Sequence, residues 1–175
     1  MCIRDSASAV LVDGAMPRTQ VFLAESAKKR GIPVIFDGSD FGEQVGELVA
    51  LSDVLISSER LAAELARTDD LERSLLDLQR MGPSAIVITL GESGSIGLHG
   101  EQLVRQPALP GRIIDTSGAG AVYVGAFSTA LLSELPFARC MEFAAAAATL
   151  SCRDAGQWAG MPTRDEVVHA IRSHR

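Results

Sequence analysis

The chain has 175 residues, of which 47% are hydrophobic and 22% are charged, and its formal net charge is −6. This composition excludes the disordered, collagen-like and low-complexity classes. The negative charge and the lack of a basic run argue against a nucleic-acid or membrane partner. Three cysteines, Cys2, Cys140 and Cys152, have no metal-ligand spacing and are interpreted as reduced thiols of a cytoplasmic protein.

Four runs of consecutive apolar residues, separated by helical patterns, predict a parallel β-sheet covered by helices on both faces. The predicted strands are 9–13, 33–37, 53–56 and 84–90. The helices between them are 17–30, a helix that Asp40 and Glu43 could cap and that holds Val45 to Leu51, 61–67 and 68–80. The fold class is therefore α/β, with three layers and a mainly parallel sheet.

The pattern changes after Gly91. Two short strand patterns, 94–99 and 102–106, predict an antiparallel hairpin, and 112–114 predicts one more strand. Helices are predicted at 118–133, 136–152 and 164–173, the last with the capping-box spacing of Thr163 and Glu166. Trp158, in the loop before the last helix, is interpreted as a local packing anchor.

Residues 1–6 carry no strand or helix period, and a full strand pattern follows them almost at once. We interpret them as a non-native lead-in, with coding sequence missing upstream. A short frayed terminus is the alternative, and the residues alone favour neither. Residues 7–175 are predicted to form a single domain.

A small-residue segment, Asp115-Thr116-Ser117-Gly118-Ala119-Gly120-Ala121, leads directly into the apolar helix predicted at 118–133. Backbone N–H groups and the helix dipole at such a helix start can form an anion site. Close packing of helix on sheet explains the same residues equally well. The segment is neither a Walker loop nor a Rossmann fingerprint.

A second glycine-bearing loop follows the strand predicted at 84–90, in the segment Thr89-Leu90-Gly91-Glu92-Ser93-Gly94. In an open parallel sheet, ligands bind outside the carboxyl ends of the strands. Two such loops at one edge predict a single nucleotide site between them.

The order Thr89-x-Gly91-x-x-Gly94, then Asp115 to Gly120, then a helix with Gly125-Ala126-Phe127, resembles the C-terminal half of PfkB-type carbohydrate kinases of the ribokinase superfamily. The likeness runs from Ala9 to the end of the chain. Val34 to Gly38 and Ser57-Ser58-Glu59 look closer to the ketohexokinase and sulfofructose-kinase branches. The resemblance implies a ribokinase-like fold that lacks the family's N-terminal half, so that the first strand exposes an unpaired edge.

The resemblance further implies ATP-dependent phosphorylation of a sugar hydroxyl, with ATP and Mg²⁺ bound and a small sugar as the other substrate. The resemblance is compatible with a homodimer for full-length members of the family, and it does not predict the oligomeric state of this chain. The implied roles are an anion hole for the transferred phosphoryl group at Gly118, Ala119 and Gly120, nucleotide contacts at Thr89, Gly91, Gly94 and Ser58, loop orientation by Asp115, and water-mediated metal binding near Glu59.

Two departures from the family pattern bear on activity. In the family, the motif that matches Gly118-Ala119-Gly120 continues with an aspartate, which accepts the proton of the attacking sugar hydroxyl. In this chain, Ala121 stands at the position of that aspartate. Many relatives carry Asn-x-x-Glu where this chain has Ser58 and Leu61. The sequence therefore predicts a sugar kinase with crippled catalysis. The alternatives are a catalytically dead nucleotide-binding or regulatory module and a non-functional gene fragment.

Overall fold

The computed structural model describes residues 6–39, 42–156 and 158–174. Cys2, Asp40 and most of the predicted lead-in lie outside these residues. The chain divides into two compact units, Met1–Thr89 with Ile96–Leu103, and Leu90–Ser95 with Val104–Arg175. We describe each unit by itself.

Six strands and seven α-helices make up the described chain. The strands are β1 (Val10–Val12), β2 (Val34–Gly38), β3 (Val54–Ser58), β4 (Ala85–Thr89), β5 (Ser95–His99) and β6 (Gln102–Gln106). The helices are α1 (Pro17–Lys28), α2 (Val45–Leu51), α3 (Glu59–Ala66), α4 (Leu71–Met81), α5 (Ala119–Leu132), α6 (Phe137–Ser151) and α7 (Arg164–Ser173).

The sheet follows the order β1-β2-β3-β4-β5-β6, and β1 to β4 pair in parallel. Every position of β3 and β4 except the last residue of each is buried, so both faces of these strands are covered, as their apolar runs predict. A two-residue connection joins β5 to β6, which requires an antiparallel pair. The α/β class, the mainly parallel sheet and the hairpin are confirmed.

The parallel register brings the carboxyl ends of β1 to β4 to one edge of the sheet. Gly38 lies beside Ser57, and Ser58 lies beside Thr89. Because crossovers between parallel strands are right-handed, a sheet ordered β1 to β4 carries α1 to α4 on one face. β1 lies at one edge of the described sheet, and its Leu11 is 51% exposed.

The second unit is built on α5, α6 and α7. Its core is rich in alanine: Ala146 and Ala147 of α6 pack with Val167 of α7. The rings of Phe127 and Phe137 meet edge to face at 6.0 Å between centroids. Small side chains let these helices approach closely, which offsets the scarcity of aromatic residues. Cys140 and Cys152 carry free thiols and are buried, and burial raises the pKa of Cys140 to about 11.

The strand expected at 112–114 is wrong. This segment has no regular structure, and Ile113 and Ile114 are 56% and 46% exposed. Its backbone instead bonds to the end of α6, since the Ile114 N–H donates to the Cys152 carbonyl at 2.8 Å. Three residues with one such contact do not extend a sheet ladder.

The capping box at the start of α7 is confirmed. The Thr163 hydroxyl accepts from the Glu166 N–H, and the Glu166 carboxylate accepts from the Thr163 N–H at 2.7 Å. Arg153 also donates to Glu166 at 2.6 Å. This guanidinium, followed by the Thr163 donors, lowers the pKa of Glu166 from 4.5 to about 2.

Glu166 is expected to make the stability of the chain sensitive to acid. A carboxyl with a lowered folded-state pKa stabilises the fold above its unfolded pKa, and that contribution is lost as the pH falls from about 4.5 towards 2. Glu166→Gln should therefore melt below the parent chain at pH 6, and the gap should narrow towards pH 2.5. Glu101→Gln, in the exposed β5–β6 turn, removes the same charge as a control. A gap that stays constant with pH would contradict this assignment.

Among the residues that the structure describes, no helix has both the length and the apolar character needed to cross a membrane.

Candidate functional site

The small-residue loop ends in a helix start with open backbone donors. Gly118 is the N-cap of α5 with φ of +81°, and no side chain caps the helix. Within the described chain, the N–H groups of Gly118 and Gly120 donate to no protein acceptor. The Ala119 N–H donates to the Thr116 carbonyl at 3.1 Å, so the expectation that all three amides are open does not hold for Ala119. The dipole of this 14-residue helix favours an anion at the same place.

Asp115 fastens this loop at two points. One carboxylate oxygen accepts from the Ser117 N–H at 2.9 Å, and the other accepts from the Gly156 N–H at 2.8 Å. These two backbone donors, that of Ser117 first, lower the pKa of Asp115. The carboxylate thus ties the start of this small-residue loop, residues 115–121 and here called the anion loop, to the segment that follows α6.

The second loop was predicted at Thr89 to Gly94. Its residues after Thr89 belong to the segment 90–95, here called the 90–95 loop, which lies in the same unit as the first loop. A 3₁₀ turn covers Gly91–Ser93, and the Gly94 N–H donates to the Gly91 carbonyl at 3.1 Å. Ser95 then meets Tyr123 of α5, with their hydroxyl oxygens 2.9 Å apart in a buried contact. This bond joins the end of the 90–95 loop to the second turn of the helix that begins at the anion loop. Burial raises the pKa of the Tyr123 phenol.

The two glycines of this loop have different surroundings. A Cβ at Gly94 would lie 2.6 Å from the Ala108 nitrogen, so the chain's own backbone fills that side. A Cβ at Gly91 would meet nothing within 4 Å. Of the two, Gly91 has the open space that contact with a ligand requires.

A pocket of about 420 Å³ opens beside the anion loop. Its lining begins at Gly118 and Ala121 and is otherwise mostly apolar. The remaining lining residues come from α5, α6, α7 and the loop before α7, and they are Val122, Gly125, Ala126, Thr129, Phe143, Ala147, Trp158, Met161, Pro162, Arg164 and Val167. An anion-binding helix start therefore adjoins a pocket of a size typical for small ligands.

Three predicted site residues lie in the first unit. The Ser58 hydroxyl is the N-cap of α3, accepts from the Leu61 N–H at 3.2 Å and donates to the Ser39 carbonyl at 3.1 Å. The Thr89 hydroxyl donates to the Ser57 carbonyl at 3.2 Å. Both hydroxyls thus have partners at the sheet edge. Glu59 is exposed in the first turn of α3.

The donor set in the described chain does not fit a protein-held Mg²⁺. No group of three or more histidine, cysteine or acidic side chains is placed to hold a metal among the described residues. Leu61, at the position of the family's glutamate, is buried at 1% exposure and offers no oxygen. Mg²⁺ requires oxygen ligands, and Glu59 is the single predicted one, so no step is derived through the metal.

Trp158 is not the packing anchor that the sequence suggested. Its side chain is 82% exposed, although it lines the pocket. The other pocket residues of the 158–164 segment also escaped the sequence analysis, because a pocket between helices depends on their packing. The sequence feature that could have indicated this pocket was a lone tryptophan in a short loop that also contains Gly156 and Gly160.

A glycine turn with open N–H donors at the start of a helix, beside an apolar pocket, is typical of phosphate-binding α/β proteins. The sequence of this chain matches the pfkB family of carbohydrate kinases over residues 5–164, and the chain belongs to that family. The family predicted from the two loops is thus confirmed.

Curated relatives of this chain are named as carbohydrate kinases. The chain is 28% identical to an Arabidopsis thaliana ribokinase over 95% of this chain and 46% of that protein. It is 26% identical to an ATP-dependent 6-phosphofructokinase of Thermoanaerobacterium thermosaccharolyticum over 85% and 49%. The chain therefore spans about half the length of the curated relatives it matches.

A solved structure gives the same fold. The structure of Arabidopsis thaliana ribokinase complexed with ribose and ATP superposes with a TM-score of 0.87 at 28% identity, covering 97% of this chain and 57% of that one. The ribokinase-like fold is confirmed. The closer likeness to the ketohexokinase branch stays a prediction.

Proposed function

We propose that this chain binds ATP at the start of α5, as the nucleotide-binding part of a kinase that phosphorylates a carbohydrate hydroxyl. The observation on which the proposal rests is the open anion site at the start of α5, with the 90–95 loop joined to the same helix. The open N–H groups of Gly118 and Gly120 suit the phosphates, and Gly91, which has open space at its Cβ position, leaves room for the nucleotide in the loop that the Ser95–Tyr123 contact joins to α5. Relatives named as ribokinase and 6-phosphofructokinase support a sugar as the acceptor.

The chain's own residues would act by positioning and by charge. The Gly118 and Gly120 donors and the α5 dipole would stabilise negative charge on the phosphoryl group that is transferred. Asp115 would keep these donors in place through its bonds to Ser117 and Gly156. The relatively fixed loop would then need little rearrangement during transfer.

We further propose that transfer by this chain is slow or absent. Ala121, the third residue of α5, is exposed at the pocket and has a methyl group that accepts no proton. Loss of a general base costs about 10²–10⁴-fold in rate. Nucleotide binding does not need the base, which supports a binding or regulatory module as the alternative function.

The test is the binding of ADP, measured by equilibrium dialysis on the chain and on Gly120→Glu. A Cβ at Gly120 meets nothing within 4 Å, and a carboxylate in the first turn suits the helix dipole, so the variant should fold. The new charge should repel the phosphates and weaken ADP binding by about 10-fold or more.

Gly46→Glu is the matched control for this test. Gly46 lies in α2, is exposed, and also has nothing within 4 Å of its Cβ position. It adds the same charge in the first unit, so ADP binding should stay at the level of the parent chain. Equal binding by parent and Gly120→Glu would place the nucleotide elsewhere, and absence of ADP binding to the parent would end the proposal.

A further inference from the structure

A buried pair of hydroxyl groups joins the 90–95 loop to α5. The hydroxyl oxygens of Ser95 and Tyr123 lie 2.9 Å apart, and the two residues, 28 positions apart in the sequence, are 3% and 5% exposed. A buried hydroxyl that loses its partner costs more free energy than the hydrogen bond itself contributes. The free energy of this contact therefore depends on the loop and the helix staying together.

The 90–95 loop is a closed turn. The Leu90 N–H donates to the Gly94 carbonyl at 2.8 Å, and the Gly94 N–H donates to the Gly91 carbonyl at 3.1 Å. Because these bonds lie within the turn, a contact that fixes Ser95 also limits the movement of Gly91.

The loop is held on two sides within one unit of the chain. A Cβ at Gly94 would lie 2.6 Å from the Ala108 nitrogen, so the backbone of 106–108 supports the loop on that side. This packing sets the loop against 106–108. The Ser95–Tyr123 contact sets it against α5.

Tyr123 lies close to the open N–H donors along the same helix. Gly120 is three residues before it, which corresponds to a rise of about 4.5 Å along α5. A nucleotide with its phosphates at the start of α5 and its nucleoside beside Gly91 needs the helix and the loop at a fixed separation. The hydroxyl pair lies where it can set that separation.

We propose that Ser95 and Tyr123 are positioning residues, which hold the 90–95 loop at the distance from α5 that one bound nucleotide requires. This inference rests on the proposed function and assigns buried side chains that act through the loop. Loss of one hydroxyl leaves the other buried without this partner, so the loop gains free energy by moving until that hydroxyl reaches water. The apparent nucleotide affinity then falls with the fraction of molecules that keep the loop in place.

The experiment compares two probes on the full chain. ADP needs both the loop and the start of α5, whereas inorganic tripolyphosphate needs only the donors of α5. Tyr123→Phe should bind ADP at least about 5-fold more weakly than the parent and bind tripolyphosphate as the parent does. Ser95→Ala removes the other hydroxyl of the pair and should give the same difference between the probes.

The double variant Ser95→Ala/Tyr123→Phe separates the hydrogen bond from the bulk of the side chains. It leaves neither hydroxyl of the pair buried without its partner, so it should bind ADP more tightly than either single variant. Ser128→Ala is the control for loss of a hydroxyl from α5, because the Ser128 hydroxyl donates to the Val124 carbonyl of the same helix at 2.7 Å. It should leave the affinity for both probes unchanged.

The outcomes separate the positioning role from the proposed nucleotide site. If the single variants bind ADP as tightly as the parent does, positioning is refuted while the nucleotide site stands. If they lose ADP and tripolyphosphate equally, the pair supports the start of α5 and does not set the position of the loop. A double variant that binds ADP more weakly than both single variants would assign the loss to side-chain bulk and overturn the proposal.

Two further results concern the parent and the folding of the variants. If the parent binds neither probe, or binds tripolyphosphate and not ADP, the proposed function fails and the positioning role falls with it. Thermal melting identifies a single variant that does not fold, and the other single variant then decides by the same two probes.

Discussion

Ala121→Asp is expected to raise phosphoryl transfer by about 10²–10⁴-fold once the chain is joined to the N-terminal half of a related kinase. Ala121 lines the pocket and is the third residue of α5, so a carboxylate there faces the region where the phosphates are proposed to bind. It would accept the proton of the attacking sugar hydroxyl, which the alanine methyl group does not. The helix dipole favours an aspartate in this first turn by about 0.3–1 kcal/mol, so the fold should tolerate it.

The measurement is ADP release by the joined protein with a panel of ketoses and ribose. The Arabidopsis thaliana ribokinase, 28% identical to this chain and solved in complex with ribose and ATP, supplies the part of its own chain that this chain does not cover. Ala121→Asn is the matched control, because an amide has nearly the shape of aspartate and lacks its basicity. The aspartate form should be fast, and the alanine and asparagine forms should be equally slow. Equal rates in all three would show that residue 121 is not at the base position.

The same substitution in the 175-residue chain alone should give no sugar phosphorylation. The base acts on a hydroxyl that other residues hold, and the pocket beside Gly118 and Ala121 is lined mostly by apolar residues. ADP binding to the Ala121→Asp chain should persist. Binding without transfer would show that this part of the site concerns the nucleotide.

The parallel sheet was predictable because its information is local. Val54-Leu55-Ile56 and Ile86-Val87-Ile88 are continuous apolar runs, and burial on both faces of a strand requires such runs. The start of α7 was predictable for a similar reason, since Thr163 and Glu166 form their capping box within four residues. These predictions need no knowledge of how distant segments meet.

The pocket was not predictable, because distant segments create it. Phe143 and Thr129 belong to different helices, and their periodicity alone indicates only apolar faces. Trp158 was interpreted from its position in a loop as a local packing anchor, whereas its side chain is 82% exposed. The error at 112–114 has the same origin, since the end of α6 provides the partner for that segment.

Gly94→Ala is expected to destabilise the chain by about 3 kcal/mol or more. Gly94 has φ of +90° and ψ of −125°, a conformation that residues with a Cβ scarcely adopt. The new methyl group would also stand 2.6 Å from the Ala108 nitrogen and 2.7 Å from the Pro107 carbonyl carbon. Backbone atoms cannot move away from the new methyl group as the end of a flexible side chain can. The steric cost therefore adds to the cost of the backbone conformation.

Gly91→Ala separates the two costs, because Gly91 has φ of +58° and open space around its Cβ position. It should lose only the conformational term of about 1–2 kcal/mol. In a domain of this size, 1 kcal/mol corresponds to about 2–4 °C in Tm, so Gly94→Ala should melt at least about 6 °C below the parent and Gly91→Ala by a smaller amount. Urea unfolding of the three proteins checks the order. If Gly94→Ala and Gly91→Ala lose the same stability, the close approach of Gly94 to residues 106–108 contributes nothing to the stability of the fold. The glycine at position 94 would then have another role. Weaker ADP binding by the folded Gly94→Ala protein would identify that role as nucleotide binding.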